Sequence, residues 1–171
     1  MNNYQWYSEQ WGKETRDDQQ LFLLLTVGVF QAGLSWKAAA GKKAVFYRNF
    51  CEMDFRKVAA FFPDDIDRIL EDPEMIRNPR KVQAVVKNAR AIVTLLNEYD
   101  SFSDYLWDFV GGVPMIHTYE TQEEVPAVLP EATMIAKDMK KRGFSFVGPV
   151  VTYMFLKSAG IIQDQVINRE K

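Results

Sequence analysis

The pattern of apolar and polar positions is helical along almost the whole chain. Apolar residues recur at spacings of three and four, which predicts helices over residues 42–50, 81–96, 102–110, 131–142 and 149–159. Residues 21–29 are apolar nearly all round, so we expect this helix to lie at the centre of the molecule. We find no convincing alternation of apolar and polar residues of the kind that marks a half-buried strand. The pattern therefore predicts an all-α fold.

Two of these helices have a more specific pattern, one at its N-terminus and the other along its apolar face. Thr15 and Asp18 have the spacing of a capping box, in which Asp18 reaches back to the Thr15 amide. In the helix over 81–96, the apolar stripe is predicted to be Val82, Val85, Val86, Ala89, Val93 and Leu96. That stripe leaves the cations of the helix for its other faces; they are Lys81, Lys87 and Arg90.

Composition narrows the class of protein. The chain has 171 residues, of which 47% are hydrophobic and 26% charged, so we expect one domain over residues 1–171 with its own core. The most apolar run, residues 21–34, is shorter than a membrane span. The first residues lack the basic start and apolar block of a signal peptide. The prediction is a soluble cytoplasmic protein without a membrane segment.

Cysteine and histidine content argues against a metal centre. Cys51 and His117 are the one cysteine and the one histidine, so an internal disulfide is excluded. A zinc site of thiolates and imidazoles is not expected, and both residues are interpreted as structural. We predict no metal and no cofactor. The formal net charge is −2, so any nucleic-acid binding must come from a local basic patch.

A helical hairpin over about residues 131–160 contains such a patch. Gly143 can end the first helix in a left-handed conformation, and Pro149 suits the first turn of the second. Gly148 leaves the backbone open to a partner, and the amides of residues 147–150 would face a phosphate at a positive helix end. Cations precede the turn at Lys140, Lys141 and Arg142. The alternative is an ordinary hairpin with a solvated basic face.

An aromatic cluster is the second chemical feature. Trp6, Trp11 and Trp36 lie in the N-terminal part of the chain, and Trp36 closes the sequence Gln31-Ala32-Gly33-Leu34-Ser35-Trp36. Such tryptophans usually fill a core. They could also form a slot for a planar base, with Gln31 reading an edge of the base through its amide group.

At these two segments the sequence resembles the DNA-3-methyladenine glycosylase I family, and the resemblance covers nearly the whole chain. Its longest motifs are Gln31-Ala32-Gly33-Leu34-Ser35-Trp36 and Lys140-Lys141-Arg142-Gly143-Phe144-Ser145-Phe146-Val147-Gly148. Shorter ones are Glu9-Gln10-Trp11-Gly12, Ile76-Arg77, Lys81-Val82-Gln83-Ala84, Asn88-Ala89-Arg90-Ala91 and Phe109-Val110.

The resemblance implies the helix-hairpin-helix glycosylase fold, with two helical lobes around a DNA-facing cleft. It implies hydrolysis of the N-glycosidic bond of an alkylated purine flipped out of double-stranded DNA. We expect a monomer. By this resemblance Trp36 stacks on the base, and Gln31 to Ser35 fall on the loop that lines the pocket and fills the gap that the flipped nucleotide leaves. Leu34 of this loop is expected to contact DNA. DNA contacts fall on the hairpin at Gly143, Ser145, Val147, Gly148, Lys140 and Lys141.

The sequence departs from the family at a zinc clasp that ties the termini. The first cysteine ligand is absent, and the other ligand positions hold Tyr7, Gln165 and Arg169. We therefore expect no zinc there, and termini held by packing alone. The residues expected to pack are Trp6 and Trp11 against Ile161, Ile162 and Val166.

A second departure concerns the base pocket. The glutamate that recognises the base in the family falls on Gly28, a pocket tyrosine falls on Trp6, and a further glutamate falls on Gln10. The pocket has thus lost its carboxylates. Asp164 and Glu9 are candidates for a catalytic carboxylate, although Asp164 could equally be an exposed helix-capping residue.

Three hypotheses follow. The first is a DNA glycosylase for 3-methyladenine or a related base, with a remodelled pocket. The second is a non-catalytic relative that binds damaged or distorted DNA. The third is a helical protein that no longer binds DNA.

Overall fold

The structure is a computed structural model that describes residues 2–167. In this range the helices are α1 (Gln5–Gln10), α2 (Asp18–Gln31), α3 (Trp36–Ala40), α4 (Lys43–Asn49), α5 (Phe55–Ala59), α6 (Pro63–Glu71), α7 (Pro79–Leu95), α8 (Phe102–Asp108), α9 (Pro130–Lys141) and α10 (Pro149–Ser158). This architecture confirms the all-α class. Two short strands, β1 (Met115–Tyr119) and β2 (Ile162–Val166), were not predicted. They pair in parallel with Met115 opposite Ile162, and each is too short for its alternation to stand out.

Helix α2 is the centre of the fold, as its apolar sequence predicts. Every residue from Leu21 to Phe30 is buried, and the helix packs against α3, α7 and α10. The predicted capping box at its start is wrong, because Asp17 is the N-cap and accepts from the Gln20 amide at 2.9 Å.

The two residues assigned to that capping box have other partners. The carboxylate of Asp18 accepts from the amides of Phe102 and Ser103, so it caps the start of α8. Thr15 is buried, and its hydroxyl accepts from the side chain of Gln10 at 2.7 Å. The local spacing misled because both side chains bond to segments outside the predicted turn.

Helix α7 confirms the predicted apolar stripe at its start and corrects it at its end. Val82, Val85 and Val86 are buried, whereas Val93 is exposed and Leu96 is half-buried. The helix buries Ile92 and Leu95 instead.

Lys81 was expected only to lie outside the apolar stripe of α7, and the structure gives it a buried position. This side chain is buried, and its ammonium donates to the backbone carbonyls of Phe30 and Ala32 at the end of α2. Arg90 lies on an exposed face as predicted and donates to the carbonyls of Ala59 and Phe61.

Hydrogen bonds join the N-terminal segment to the end of α10, so packing alone does not hold these parts together. The amide of Thr15 donates to the carbonyl of Ala159 at 3.0 Å, and the Gln10 side chain donates to the carbonyl of Ser158 at 3.2 Å. A Cβ at Gly160 would lie 2.6 Å from the backbone of Lys13, so only glycine permits this approach.

No helix in residues 2–167 combines the length and apolar character that a bilayer crossing needs.

Candidate functional site

An aromatic cleft lies where α1, α3 and α10 meet. It has a volume of about 370 Å³, and its lining residues are Tyr7, Ser8, Trp11, Trp36 and Met154. The rings of Tyr7 and Trp36 stack with centroids 5.8 Å apart, and Trp11 meets Tyr7 edge-on. Burial raises the pKa of Tyr7 to about 12, so its hydroxyl is neutral at pH 7. The cleft therefore offers planar apolar faces and uncharged polar atoms, and no carboxylate among the described residues lines it.

The position of Trp36 follows from local sequence. Ser35 is the N-cap of α3, and its hydroxyl oxygen accepts from the Ala38 amide at 3.1 Å, so the helix begins at Trp36. The ring of Tyr4, at the start of α1, packs edge-on against the indole of Trp36, with ring centroids 5.6 Å apart. One face of Trp36 is thus supported by the core while its side chain lines the cleft.

A tight turn leads into α3 and carries Leu34. The Leu34 amide donates to the Gln31 carbonyl at 2.8 Å, and Gly33 has a φ of 78°. Leu34 is 49% exposed, so its apolar side chain is available for insertion into a base stack. Leu34 and Trp36 therefore belong to one short segment between α2 and α3.

Gln31 and Gly28, which the resemblance places at the base pocket, lie on α2. Gln31 is half-buried, and its Oε1 has no hydrogen-bond partner among residues 2–167. Gly28 faces α10, where an added Cβ would lie 3.5 Å from Val151, at ordinary contact distance. Val151 is one turn before Met154 of the cleft, so a long side chain at position 28 would point between α2 and α10.

Trp6 and Glu9 do not line the cleft. The indole of Trp6 donates to the Ala40 carbonyl at 2.9 Å, and the ammonium of Lys43 lies 4.7 Å from its ring. Glu9 is exposed on α1 and accepts from the side chain of Gln5.

Asp164 lies on β2, so its interpretation as an exposed helix cap is wrong. Its side chain is 9% exposed, and Oδ2 accepts from the Tyr153 hydroxyl at 2.7 Å and lies 3.1 Å from the Lys157 ammonium. Oδ1 has no hydrogen-bond partner among the described residues. Asp164 lines a separate cavity of about 290 Å³, which shares Trp11 with the aromatic cleft.

The hairpin turn between α9 and α10 has the predicted backbone. Gly143 follows α9 with a φ of 99°, and Pro149 is the first residue of α10. A Cβ at Gly148 would meet nothing within 4 Å, so the backbone there is open. Val147 is buried, and its carbonyl accepts from the Thr152 hydroxyl.

The three cations that precede the hairpin turn differ in their surroundings. Lys140 and Lys141 are exposed, as a phosphate-binding patch requires. Arg142 is instead engaged by Glu98 at 2.8 Å and Asp138 at 2.9 Å, so its charge is locally paired.

Asn88 of α7 was not predicted to have a role at the site. This side chain is buried, and its Oδ1 accepts from the Ser145 amide of the hairpin at 2.7 Å. The sequence carries little signal of this, because position 88 lies outside the apolar stripe predicted for α7, although the structure buries it. Nothing in the sequence indicated that the cleft would also be lined by Tyr7, Ser8 and Met154.

The positions of the zinc clasp hold no ligand set in the part of the chain that the structure describes. Tyr7 is buried, Gln165 is exposed on β2, and Arg169 lies outside the described residues. Over residues 2–167 no three His, Cys, Asp or Glu side chains lie together as metal ligands would. Cys51 is free, and His117 lies on β1 with Nε2 3.9 Å from Glu131.

Comparisons with known proteins agree with this geometry. The sequence profile of the methyladenine glycosylase family matches residues 2–169. The chain is 33% identical to DNA-3-methyladenine glycosylase 1 of Escherichia coli strain K12 over 162 residues, which cover 95% of this chain and 87% of that protein.

Solved structures of 3-methyladenine DNA glycosylases I are also similar to this chain. The 3-methyladenine DNA glycosylase I of Staphylococcus aureus, whose structure was described for its recognition of 3-methyladenine, superposes with a TM-score of 0.88 at 34% identity, covering 94% of this chain and 85% of that one. A variant 3-methyladenine DNA glycosylase I in complex with 3-methyladenine gives a TM-score of 0.87 at 35% identity, covering 91% and 84%. By sequence and by fold, the chain belongs to the methyladenine glycosylase family.

Proposed function

We propose that this protein is a base-excision repair glycosylase that hydrolyses the N-glycosidic bond of an alkylated purine, 3-methyladenine or a related base, in double-stranded DNA. One observation carries the proposal: a short segment holds both Leu34, exposed at a turn, and Trp36, in an aromatic cleft. This closeness suits a residue that fills the gap in a base stack and a ring that receives the extruded base. Relatives of the chain are named DNA-3-methyladenine glycosylase 1 and 3-methyladenine DNA glycosylase I.

The proposed binding of DNA uses the hairpin and the cleft together. The open backbone at Gly148 and the first turn of α10 would take a phosphate, with Lys140 and Lys141 adding charge. Helix α10 runs from this turn to Met154 of the cleft, so the phosphate contact and the base pocket share one rigid element.

The proposed chemistry depends on a labile leaving group. An alkylated purine such as 3-methyladenine carries positive charge in DNA, so its bond to the sugar breaks readily once the base is flipped and held. Trp36 would supply the stacking face, with the Tyr7 ring packed against it.

Loss of the pocket carboxylate is expected to slow excision. With glycine at position 28, a charge-assisted hydrogen bond worth about 1.5–3 kcal/mol is absent. If all of it acts in the transition state, the rate falls by roughly ten- to over a hundredfold. Asp164 is bonded to Tyr153 and Lys157, and Glu9 is exposed, so no proton transfer is assigned to either carboxylate.

We further propose that the protein acts as a monomer in the cytoplasm, as one domain over residues 1–171. Insertion of Leu34 into the gap left by an extruded base requires a duplex, which supports double-stranded DNA as the partner. Sedimentation of the free protein and of its duplex complex measures the stoichiometry.

A non-catalytic relative that recognises damaged DNA is the second candidate. The observation that favours it is the absence of a carboxylate among the described lining residues of the cleft. Such a protein would bind through the same hairpin and leave the glycosidic bond intact.

The experiment compares methylated and unmethylated duplexes of one sequence. Glycosylase activity predicts alkali-labile sites in the methylated duplex only, together with binding that weakens as salt rises. Salt-sensitive binding without alkali-labile sites would support the second candidate. Absence of any duplex binding would reject both.

A further inference from the structure

Lys81 is a buried cation outside the cleft and the hairpin. Its side chain lies on the first turn of α7 and is 6% exposed. Its ammonium donates to the Phe30 carbonyl at 3.1 Å and to the Ala32 carbonyl, and burial lowers its pKa. Burying an ammonium costs free energy unless it is hydrogen-bonded, and here two backbone carbonyls accept from it.

The carbonyls that Lys81 contacts are those that α2 leaves unpaired at its C-terminus. The last turn of α2 contains no basic residue of its own. The negative end of the helix is therefore neutralised from a different helix, by a cation that the sequence places 49 positions beyond Ala32.

The second of these carbonyls lies inside the turn that carries Leu34. Ala32 has φ −57° and ψ 119°, and Gly33 has φ 78°, which are the angles of a type II turn. Types I and II differ in the orientation of the central peptide, and here the oxygen of that peptide is the Ala32 carbonyl. The Lys81 ammonium holds this oxygen in the type II orientation.

We propose that Lys81 is a positioning residue: by fixing the peptide between Ala32 and Gly33, it sets the direction in which Leu34 and Trp36 leave α2. Its effect on base excision rests on the proposed glycosylase function, whereas its effect on the turn does not. The side chain touches neither the cleft nor the hairpin, so it acts through the turn alone.

The test substitutes Lys81→Met, which keeps the length of the stem and removes the donors. Lys87→Met, at an exposed position of the same helix, is the matched control. Hydrogen exchange of the Leu34 amide, which donates to Gln31, reports the turn. Thr26 and Val27, in the buried middle of α2, report the helix itself.

The expected result is selective. Lys81→Met speeds exchange at Leu34 on the order of tenfold or more and leaves Thr26 and Val27 unchanged, while Lys87→Met changes none of them. Base release falls on the order of ten- to a hundredfold in kcat with a smaller change in KM, because a misplaced ring still binds DNA through the hairpin. Lys81→Arg, which keeps a cation, restores part of the loss.

Unchanged exchange at Leu34, or an equal rise at all three amides, would overturn the proposal. If the wild-type protein releases no base, the glycosylase function fails, and the exchange data still decide the role of Lys81. Should Lys81→Met not fold, the wild-type protein gives a second test. Its Lys81 ammonium protons are expected to exchange at least about tenfold more slowly than those of Lys87. Equal rates would refute the hydrogen bonds by which Lys81 is proposed to hold the turn.

Discussion

The side-chain oxygen of Asn88 accepts a hydrogen bond from the Ser145 amide at 2.7 Å, which ties the middle of α7 to the hairpin turn. Asn88 is buried and Ser145 is half-buried, so water has little access to this bond. The shape of the proposed phosphate site therefore depends on a residue that lies outside the hairpin.

Substitution of Asn88 by alanine leaves the Ser145 amide without its acceptor. We expect a loss of about 1–3 kcal/mol in the free energy of unfolding, measured by urea denaturation. Duplex affinity, measured by fluorescence anisotropy, is expected to fall as well because the turn is no longer held. Asn97→Ala, at an exposed position, is the control and changes neither quantity. Full duplex affinity in a destabilised Asn88→Ala protein would show that the bond serves stability only.

Gly148 tests the hairpin without disturbing the fold. Its φ of −64° suits any residue, and an added Cβ meets open space, so Gly148→Glu is expected to keep the thermal midpoint. The added carboxylate lies where a phosphate is proposed to bind and repels it. We expect duplex affinity to drop on the order of tenfold or more, with Gly148→Ala giving a smaller loss. Equal affinity of Gly148→Glu and wild type would place the DNA elsewhere on the surface.

Gly28→Glu places a carboxylate at the position where the family resemblance predicts one. An added Cβ at this position makes an ordinary contact with Val151, so the backbone accepts the change. We expect release of 3-methyladenine to rise by roughly tenfold or more, since one charge-assisted hydrogen bond is regained. Gly28→Gln has the same size without the charge and is expected to give less. A fall in release with both variants would indicate that the pocket is built for a different base.

Asp72 makes stability depend on pH. Hydrogen bonds from Asn49, from Arg48 and from the Glu74 amide lower the pKa of Asp72 from 3.8 to about 2. Because the folded-state pKa lies below the unfolded one, this contribution is complete above about pH 4 and is lost as pH falls through about 2. Asp72→Asn is expected to flatten that part of the acid unfolding curve, measured by circular dichroism. Asp67→Asn, at an exposed site on α6, should leave it unchanged.

Much of the fold could be predicted because its signals are local. The central helix α2 follows from apolar spacing, the turn at Gly143 from the access of glycine to positive φ, and the start of α10 from the fixed φ of Pro149. The strands β1 and β2 escaped because their five-residue segments stabilise each other only when paired.

Polar residues with distant partners could not be predicted. Asp18 was assigned to its own helix but caps α8, and Lys81 was left outside the apolar stripe of α7 but caps the end of α2. In each case the local spacing permits one role, and the tertiary contact decides another. The cleft was partly foreseen at Trp36 through the family resemblance, whereas Met154 comes from a helix that is apolar nearly all round and gives no signal.

Mass spectrometry of the bases released from methylated duplex DNA tests the proposed function most directly. Wild-type protein is expected to release 3-methyladenine or another alkylpurine above a heat-only control. Trp36→Ala, which removes a stacking face worth about 1–3 kcal/mol, is expected to release roughly 5- to 150-fold less. No release by wild-type protein that still binds the duplex would contradict the account and identify a DNA-binding relative without glycosylase activity.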